Sequence, residues 1–255
     1  MLFKKKEEKP FIKFSSPIPG LKDVEIARPQ RSKNFIPEGW KGVPNQMAPP
    51  FPNPDDPYKF VGENSMKRTA KTCPSFLDVW KEGYVIPAPC DIYLRWDSKL
   101  ETYHYETAIP LIPIVIHSNA QYLEHVQAPM HEFIFKMDNI WTIETPKGYS
   151  IRQIPMFWHH NPYWESAYGI IHTDQYHQIN IQIMLRKGVN EVVIQQGEPM
   201  CYVIPYRREE YDMQYVDFDM GLLNKADFNN LGIFDGTTYS KFHREQEKKR
   251  KAQKK

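Results

Sequence analysis

The clearest alternation of hydrophobic and polar residues lies in the stretch 169–207. Within the run QINIQIML, Ile179, Ile181, Ile183 and Leu185 occupy every second position. Successive side chains of a strand point to opposite faces of the sheet. The alternation therefore predicts a half-buried strand.

Two more strands are predicted downstream. Lys187-Gly188 ends the first strand, and residues 192–194 begin the second. Residues 196–199, with the sequence Gln-Gly-Glu-Pro, predict a turn. A third strand is expected over 200–204 and should stop at Pro205, since proline has no amide hydrogen to donate to a sheet.

The chain upstream of this region predicts further short strands and one helix. Met137-Asp138-Asn139 is expected to form the turn of a hairpin, and Pro74 and Gly83 are expected to start and end the helix over 74–82. The proline-interrupted run 109–116 is expected to be irregular or an edge strand. The expected strands are 84–86, 91–96, 101–106, 131–136 and 140–144.

Proline is concentrated near the start of the chain, where 11 of the 22 prolines fall in the first 57 residues. Such a segment disfavours helix and paired strand over most of its length. It also carries many aromatic residues, which disordered tails usually lack. We interpret 1–67 as an extended arm on the surface of its own core or of a neighbouring subunit. A linker without contacts remains the alternative.

Residues 209–255 are expected to form a C-terminal extension that is strongly basic after Tyr239. A frayed helix or a tail fits this composition. Its charge serves either solubility or contact with nucleic acid or an acidic partner. Between arm and extension, residues 68–208 are expected to form one mainly β domain.

Composition narrows the class of protein further. The net charge of +2 does not imply a generally basic nucleic-acid-binding surface. Cys73, Cys90 and Cys201 form no CxxC pair, which predicts reduced thiols in a cytosolic setting. The first residues contain no apolar core of a signal peptide, so secretion by that route is not expected. The longest apolar run is too short for a membrane span.

Four segments resemble the dUTPase and dCTP deaminase superfamily, in the family's order. Residues 87–92 are similar to its Ala-Gly-Tyr-Asp-Leu segment, and 145–155 to its Pro-X-Gly segment. Residues 169–174 (GIIHTD) are similar to Gly-Val-Ile-Asp-X-Asp, and 197–202 to the turn and strand that follow. The resemblance implies a β-clip fold, a barrel or sandwich. Separately, 73–91 resembles uncharacterised proteins of tailed bacteriophages.

The same resemblance implies where catalytic residues would lie. Asp91 and Asp174 match family aspartates, but His172 replaces the aspartate that activates water. Met156-Phe157-Trp158 stands where the family has its Arg-Ser-Ser phosphate grip. Side chains of Met and Phe offer no donor to a phosphate oxygen. The catalytic candidates are therefore His172 and Asp174, with Asp91 in support.

A dense aromatic stretch, FWHHNPYWESAY (157–168), is the candidate ligand-binding loop. Such density is typical of a core corner, a subunit interface or a stacking platform for bases or sugars, and all three remain open. The candidate ligand-binding residues are Trp158, Tyr163, Trp164 and Tyr149.

Histidines crowd the stretch 159–177, but no metal site is predicted. His172 and Asp174 are two residues apart and share one face of a strand, as in the facial triad of iron oxygenases. That triad needs a later histidine, and the only histidine after His177 is His243, in the charged extension. Hydrogen bonding in a turn or subunit contact is the favoured role.

These features favour a non-catalytic phage-type protein with a structural or binding role on a dUTPase-like β scaffold. The alternative is a divergent nucleotide hydrolase or deaminase-like enzyme that uses His172 and Asp174. No cofactor is expected, except Mg²⁺ for that alternative. We expect a homo-oligomer, with a trimer favoured, and a virion or nucleotide partner without membrane attachment. The expected location is the virion or the cytoplasm of the host cell.

Overall fold

A computed structural model describes residues 9–47, 67–100, 102–109, 112–117, 131–217 and 237–252. Backbone contacts divide the chain into two units. The first unit comprises residues 1–35 and 82–209, and the second comprises 36–81 and 210–255. The boundaries of these units, after residues 35, 81 and 209, differ from the boundaries expected from the sequence, after residues 67 and 208.

Strands dominate the described residues. Of these strands, β3 and β4 belong to the second unit and the others to the first. In chain order they are β1 (Lys13–Ser15), β2 (Gln30–Arg31), β3 (Gln46–Met47), β4 (Lys67–Arg68), β5 (Tyr84–Pro87), β6 (Ile92–Asp97), β7 (Thr102–Thr107), β8 (Ile114–His117), β9 (His131–Glu144), β10 (Tyr149–Ile154), β11 (Trp164–Ser166), β12 (Gly169–Ile171), β13 (Gln178–Arg186), β14 (Glu191–Ile194) and β15 (Pro199–Arg207).

Three antiparallel sheets build the first unit. One has the order β1-β9-β13-β11, with β8 also paired to β9, and another has the order β12-β10-β15-β5-β2. The third has the order β14-β6-β7. The prediction of a mainly β fold is confirmed. In the part of the chain that the structure describes, none of these sheets closes into a barrel.

The predicted alternation in β13 is confirmed. Ile179, Ile181, Ile183 and Leu185 are at most 1% exposed, while the residues between them are half-buried. Their neighbour across the sheet is β9, where burial alternates over 135–138 but residues 139–141 are all buried. One face of this strand pair therefore belongs to the core of the first unit.

The core of the first unit is one continuous cluster that draws on all three sheets. Trp141 is its largest buried side chain, and its indole Nε1 donates to the carbonyl oxygen of Ala27 at 3.2 Å. Cys90 and Cys201 lie in this cluster, and burial raises the pKa of the Cys201 thiol. A buried thiol with a raised pKa is a poor nucleophile.

The predicted hairpin at 137–139 is wrong, because β9 continues through it. Met137 is 1% exposed and lies between Ile114 of β8 and Ile181 of β13. Asn139 is also buried, and its side chain bonds the backbone N–H and carbonyl of Trp141. Met137 pairs with both flanking strands and Asp138 pairs with Asn180 of β13, so the chain continues as a strand where the composition favours a turn.

The third predicted strand does not stop at Pro205, since β15 runs to Arg207. Pro205 pairs with Ile151 of β10 on one side. On the other side, β5 pairs with β15 only as far as Val203. Beyond Val203 the strand has an edge on that side, where a missing amide hydrogen costs no ladder bond.

The arm contributes strands to its own core. β1 pairs with β9, and β2 pairs with β5, so both arm strands extend the main sheets of the first unit. Residues 9–35 of the arm therefore contact their own chain, one of the two surfaces that the sequence left open. Residues 1–8 and 48–66 of the arm lie outside the described ranges.

The second unit contains the described α-helices, and the predicted helix is shorter than expected. These helices are α1 (Glu38–Gly42), α2 (Pro74–Val79) and α3 (Thr237–Ala252). Pro74 is the first residue of α2, as predicted, but the helix ends three residues before the expected Glu82. His243 of α3 bonds Asp78 of α2 at 2.8 Å. Among the described helices, none is long and apolar enough to cross a membrane.

Candidate functional site

A cavity of about 780 Å³ lies in the first unit and is lined by the aromatic stretch. We call it the aromatic cavity. Its wall consists of the loop 155–162, residues of β11, Arg186 at the end of β13, and Glu198 with the start of β15. Loop and strands belong to the same unit, so the cavity is formed by one packed body.

The loop that forms most of the wall has a strained backbone. Trp158 and His160 have φ angles of 65° and 46°, in the left-handed region that residues with a Cβ atom rarely adopt. Each such residue costs on the order of 1 kcal/mol or more, and this kind of strain is found most often at functional sites.

Two contacts hold this loop in place. The Nε2–H of His159 donates to the carbonyl oxygen of Phe35 at 2.9 Å. Burial lowers the pKa of His159, so this ring is neutral at pH 7. The ring of Phe157 packs edge-on against Tyr202, with centroids 5.0 Å apart. Side chains on both sides of Trp158 are therefore anchored.

Asn161 ties the loop to the turn between β14 and β15. Its Oδ1 accepts from the backbone N–H groups of Tyr163 and Trp164 at 2.8 and 3.2 Å. Its Nδ2 donates to Oε1 of Glu198 at 3.0 Å. The other oxygen of Glu198 accepts from the N–H of Gln195 at 3.1 Å. This network fixes the Glu198 carboxylate in the cavity wall.

The wall carries more negative than positive charge. Arg186 lies 3.8 Å from Glu165, and its Nε donates to the carbonyl oxygen of Asn161 at 3.3 Å. Glu165 and Glu198 thus outnumber the single guanidinium among the lining residues. An anionic ligand would meet two carboxylates and an arginine that is already engaged.

Two buried polar atoms in β11 lack a hydrogen-bond partner within the described ranges: Nε1 of Trp164 and Oγ of Ser166. Both residues line the cavity, and they are 3% and 1% exposed. Buried polar groups are nearly always hydrogen-bonded in folded proteins. Both atoms lie beneath the cavity wall, so leaving them unpaired is a cost to the folded state.

Of the four predicted ligand-binding residues, two line the aromatic cavity and two do not. Trp158 and Trp164 line the aromatic cavity. Tyr163 lies next to them in the chain, but its side chain is 54% exposed and outside the lining. Tyr149 is on β10, where its carbonyl oxygen accepts from Arg208 at 3.1 Å. The pattern-based reasoning missed Arg186, which shares the cavity only because β13 pairs with β11.

His172 and Asp174 meet in a second cluster, around Arg208. Arg208 donates to both carboxylate oxygens of Asp174, at 2.8 and 2.5 Å. It also contacts Nδ1 of His172 at 3.1 Å and donates to Oγ of Ser150 at 2.7 Å. The backbone N–H of Gly148 donates to Oδ2 of Asp174 at 2.8 Å. We call this group the Arg208 cluster.

The N–H donors of Arg208 determine the hydrogen-bonding roles of His172 and Asp174. Arginine has donors only, so Nδ1 of His172 acts as an acceptor and the ring proton is on Nε2. The Asp174 side chain is 3% exposed, and hydrogen bonding to Arg208 lowers its pKa well below the usual 3.8. Both side chains are thereby committed to the contact between β15 and the turn after β12.

Asp91 lies apart from these two residues. Its Oδ1 accepts from the backbone N–H of Gln196 at 2.7 Å, and the Gln196 side chain donates to the carbonyl of Pro89 at 3.0 Å. Within the described residues, no hydrogen bond or ion pair joins Asp91 to His172 or Asp174. Asp91 instead supports the turn that carries Glu198.

The histidines that crowd together in the sequence have different partners. His177 Nδ1 lies 3.0 and 3.2 Å from the carbonyl oxygens of Thr173 and Ile143, in contrast to His159 on Phe35 and His172 in the Arg208 cluster. The described parts of the chain contain no group of three His, Cys, Asp or Glu side chains placed to bind a metal ion.

No protein-family model matches this chain, and no curated protein matches it. The likeness to the dUTPase and dCTP deaminase superfamily therefore rests on the four short segments of the sequence. The geometry of the aromatic cavity and of the Arg208 cluster becomes the basis for an inference about function.

Proposed function

We propose that this protein is a non-catalytic binding protein that uses the aromatic cavity as its ligand site, on a scaffold of the dUTPase-like β-clip type. One observation carries the proposal. The side chains that would have to catalyse a hydrolysis, His172 and Asp174, are occupied by Arg208.

A general base needs an available lone pair within hydrogen-bond reach of its substrate. The Nδ1 lone pair of His172 faces Arg208 and Ser150, and Nε2 carries the ring proton. Asp174 is ion-paired through both oxygens, and its lowered pKa makes it a weak base. Asp91 bonds a separate turn. Together these contacts favour a structural role for all three residues.

The cavity, in contrast, has the properties of a binding site. Its volume of about 780 Å³ falls in the range of roughly 300–1,000 Å³ common for small-molecule sites. Apolar and aromatic side chains make up most of its wall, with a few fixed polar groups among them. Such a composition is typical of sites that hold a small molecule.

We also propose that the protein acts as a homo-oligomer, a trimer in the first instance, in a virion or an infected cell. Support comes from the proline-rich and aromatic composition of 36–67, beyond β1 and β2, which pair with their own chain, and from the likeness of 73–91 to bacteriophage proteins. A proline-rich segment loses little backbone entropy when it binds a neighbour. Light scattering of the full chain at micromolar concentration tests this, and a monomer would contradict it.

The rival is a nucleotide hydrolase that uses His172 and Asp174 with Mg²⁺. One observation favours it: Arg208, with a 29% exposed side chain, lies next to both residues and could turn to a phosphate. This requires that the ion pair with Asp174 open first.

Turnover of the four common deoxynucleoside triphosphates and dUTP, with Mg²⁺, separates the two functions. We expect no release of pyrophosphate or phosphate and no deamination above the buffer control. Turnover that is lost in His172→Ala, while that variant keeps its melting temperature, would sink the non-catalytic proposal. Tyr176→Ala, an exposed aromatic outside the cavity lining and the Arg208 cluster, is the matched control.

A further inference from the structure

We infer that the ligand of the aromatic cavity is a neutral carbohydrate. This inference rests on the proposed binding function and names its ligand class. It follows from three properties of the wall: its charge, its hydrogen-bonding groups and its aromatic side chains.

The charge of the wall excludes strongly charged ligands. A phosphate or carboxylate would lie near Glu165 and Glu198, and Arg186 already contacts Glu165 and the carbonyl of Asn161. A simple cation would fit the carboxylates and the aromatic faces. The Arg186 guanidinium in the same wall would repel it, however, and a cation offers no acceptor to the N–H groups of that arginine.

The polar groups of the wall match hydroxyl groups. Arg186 is a donor, with more N–H groups than those that face Glu165 and Asn161, and the carboxylates of Glu165 and Glu198 are acceptors. A hydroxyl can donate and accept, so one polyhydroxylated molecule can pair with both kinds of group.

The aromatic side chains suit a sugar ring. An aromatic face carries partial negative charge, so it attracts C–H groups with partial positive charge, such as those on the faces of a pyranose. Trp158 lines the cavity and is 36% exposed, so part of its indole is accessible at the cavity wall. Its ring is nearly perpendicular to that of His160 at 85°, so these two rings do not form a parallel pair for a flat base.

The strained loop makes this arrangement specific. The left-handed φ angles of Trp158 and His160 place their side chains, and His159 and Asn161 anchor the loop between and after them. A site held in position before binding loses less entropy when the ligand enters.

The test is a binding titration of the full chain, followed by tryptophan fluorescence and calorimetry. The probes are lactose, maltotriose, the trimer of N-acetylglucosamine, sialyllactose, deoxyuridine and dUMP. We expect saturable binding of at least one neutral sugar and weaker binding of sialyllactose than of lactose. Trp158→Ala should weaken the neutral sugar by about tenfold or more, whereas Tyr163→Ala should leave it unchanged.

Three outcomes would overturn the inference. Binding of deoxyuridine alone, lost in Trp158→Ala, would replace the sugar with a base and leave the binding function intact. Equal weakening by Trp158→Ala and Tyr163→Ala would place the sugar outside the cavity. The absence of saturable binding by every neutral sugar would also refute it. The assay of deoxynucleotide turnover tests the non-catalytic function separately. Trp158→Leu, which keeps an apolar side chain but no aromatic face, provides a second variant should Trp158→Ala fail to fold.

Discussion

Arg208 donates two hydrogen bonds, of 2.8 and 2.5 Å, to Asp174, which lies 34 positions earlier in the chain. Through this pair, the residue that follows β15 is joined to the turn after β12. The same guanidinium contacts His172 and Ser150, so one side chain organises the residues that resemble a catalytic centre. A group arranged in this way stabilises the fold and leaves little capacity for proton transfer.

Replacing Arg208 with alanine should lower the melting temperature of the protein. The Asp174 carboxylate would keep the N–H of Gly148 but lose the cation that faces both of its oxygens. Arg208→Lys should recover only part of the loss, since lysine cannot form the two parallel bonds. Arg207→Ala is the control, because its side chain is 69% exposed and lies 3.5 Å from the exposed carboxylate of Glu209, outside the Arg208 cluster. Thermal denaturation measures all three, and an unchanged melting point in Arg208→Ala would contradict the structural role.

Stability should fall in strongly acidic solution because of Asp174. The pKa of this carboxyl is lowered in the folded protein, chiefly by the Arg208 hydrogen bonds, from its ordinary value of 3.8. A group with a lowered pKa stabilises the fold fully above its unfolded pKa. That contribution disappears as the pH falls below about 4 and the carboxyl becomes protonated. Asp174→Asn should therefore be less stable than the natural chain at about pH 7 but closer to it at about pH 2. Urea titrations at both pH values check the convergence, and a constant difference would refute it.

Gly83→Ala should destabilise the first unit strongly. Gly83 has a φ of 68°, and a Cβ atom there would lie 2.6 Å from the carbonyl oxygen of Val203. Both the backbone strain and the clash with a neighbouring strand must be relieved. The matched control is Gly188→Ala, where φ is 81° but nothing lies within 4 Å of the added atom. We expect a loss of about 1 kcal/mol in the control and roughly twice that or more in Gly83→Ala. Chemical denaturation measures both, and equal losses would show that the contact does not matter.

Ser166→Ala should separate stability from binding. The Ser166 hydroxyl is buried and has no partner among the described residues. Its removal should leave stability unchanged or raise it by up to about 1 kcal/mol. The same change should leave the binding of the neutral sugar unchanged, because this oxygen is buried beneath the cavity wall and out of reach of a ligand. A variant that is clearly less stable than the natural chain would show that the serine has a structural partner instead.

Local pattern determined the strand β13 from sequence alone. The period of two in Ile179, Ile181, Ile183 and Leu185 is a property of adjacent residues, and it is preserved because one face must be buried. The start of α2 at Pro74 is a similar case, since proline at a first helical position acts within one turn.

Tertiary contacts determined the structure where local sequence patterns predicted a different element or predicted nothing. Met137-Asp138-Asn139 has the composition of a turn, but β8 and β13 pair with Met137 and β13 pairs with Asp138, so β9 runs through. Arg186 and Glu198 carry no sequence signal of a site. They enter the aromatic cavity only because β13 pairs with β11 and because Asn161 bonds the turn before β15.

For the catalytic candidates too, the sequence predicts which residues are close but not which partners their side chains contact. Sequence spacing places His172 and Asp174 two residues apart, and that proximity is real. What they do depends on Arg208, which reaches them only after β15 has paired with β10. Periodicity and capping act over a few residues and can be read from the chain. The partner of a side chain across 34 residues depends on sheet register, which only the folded structure fixes.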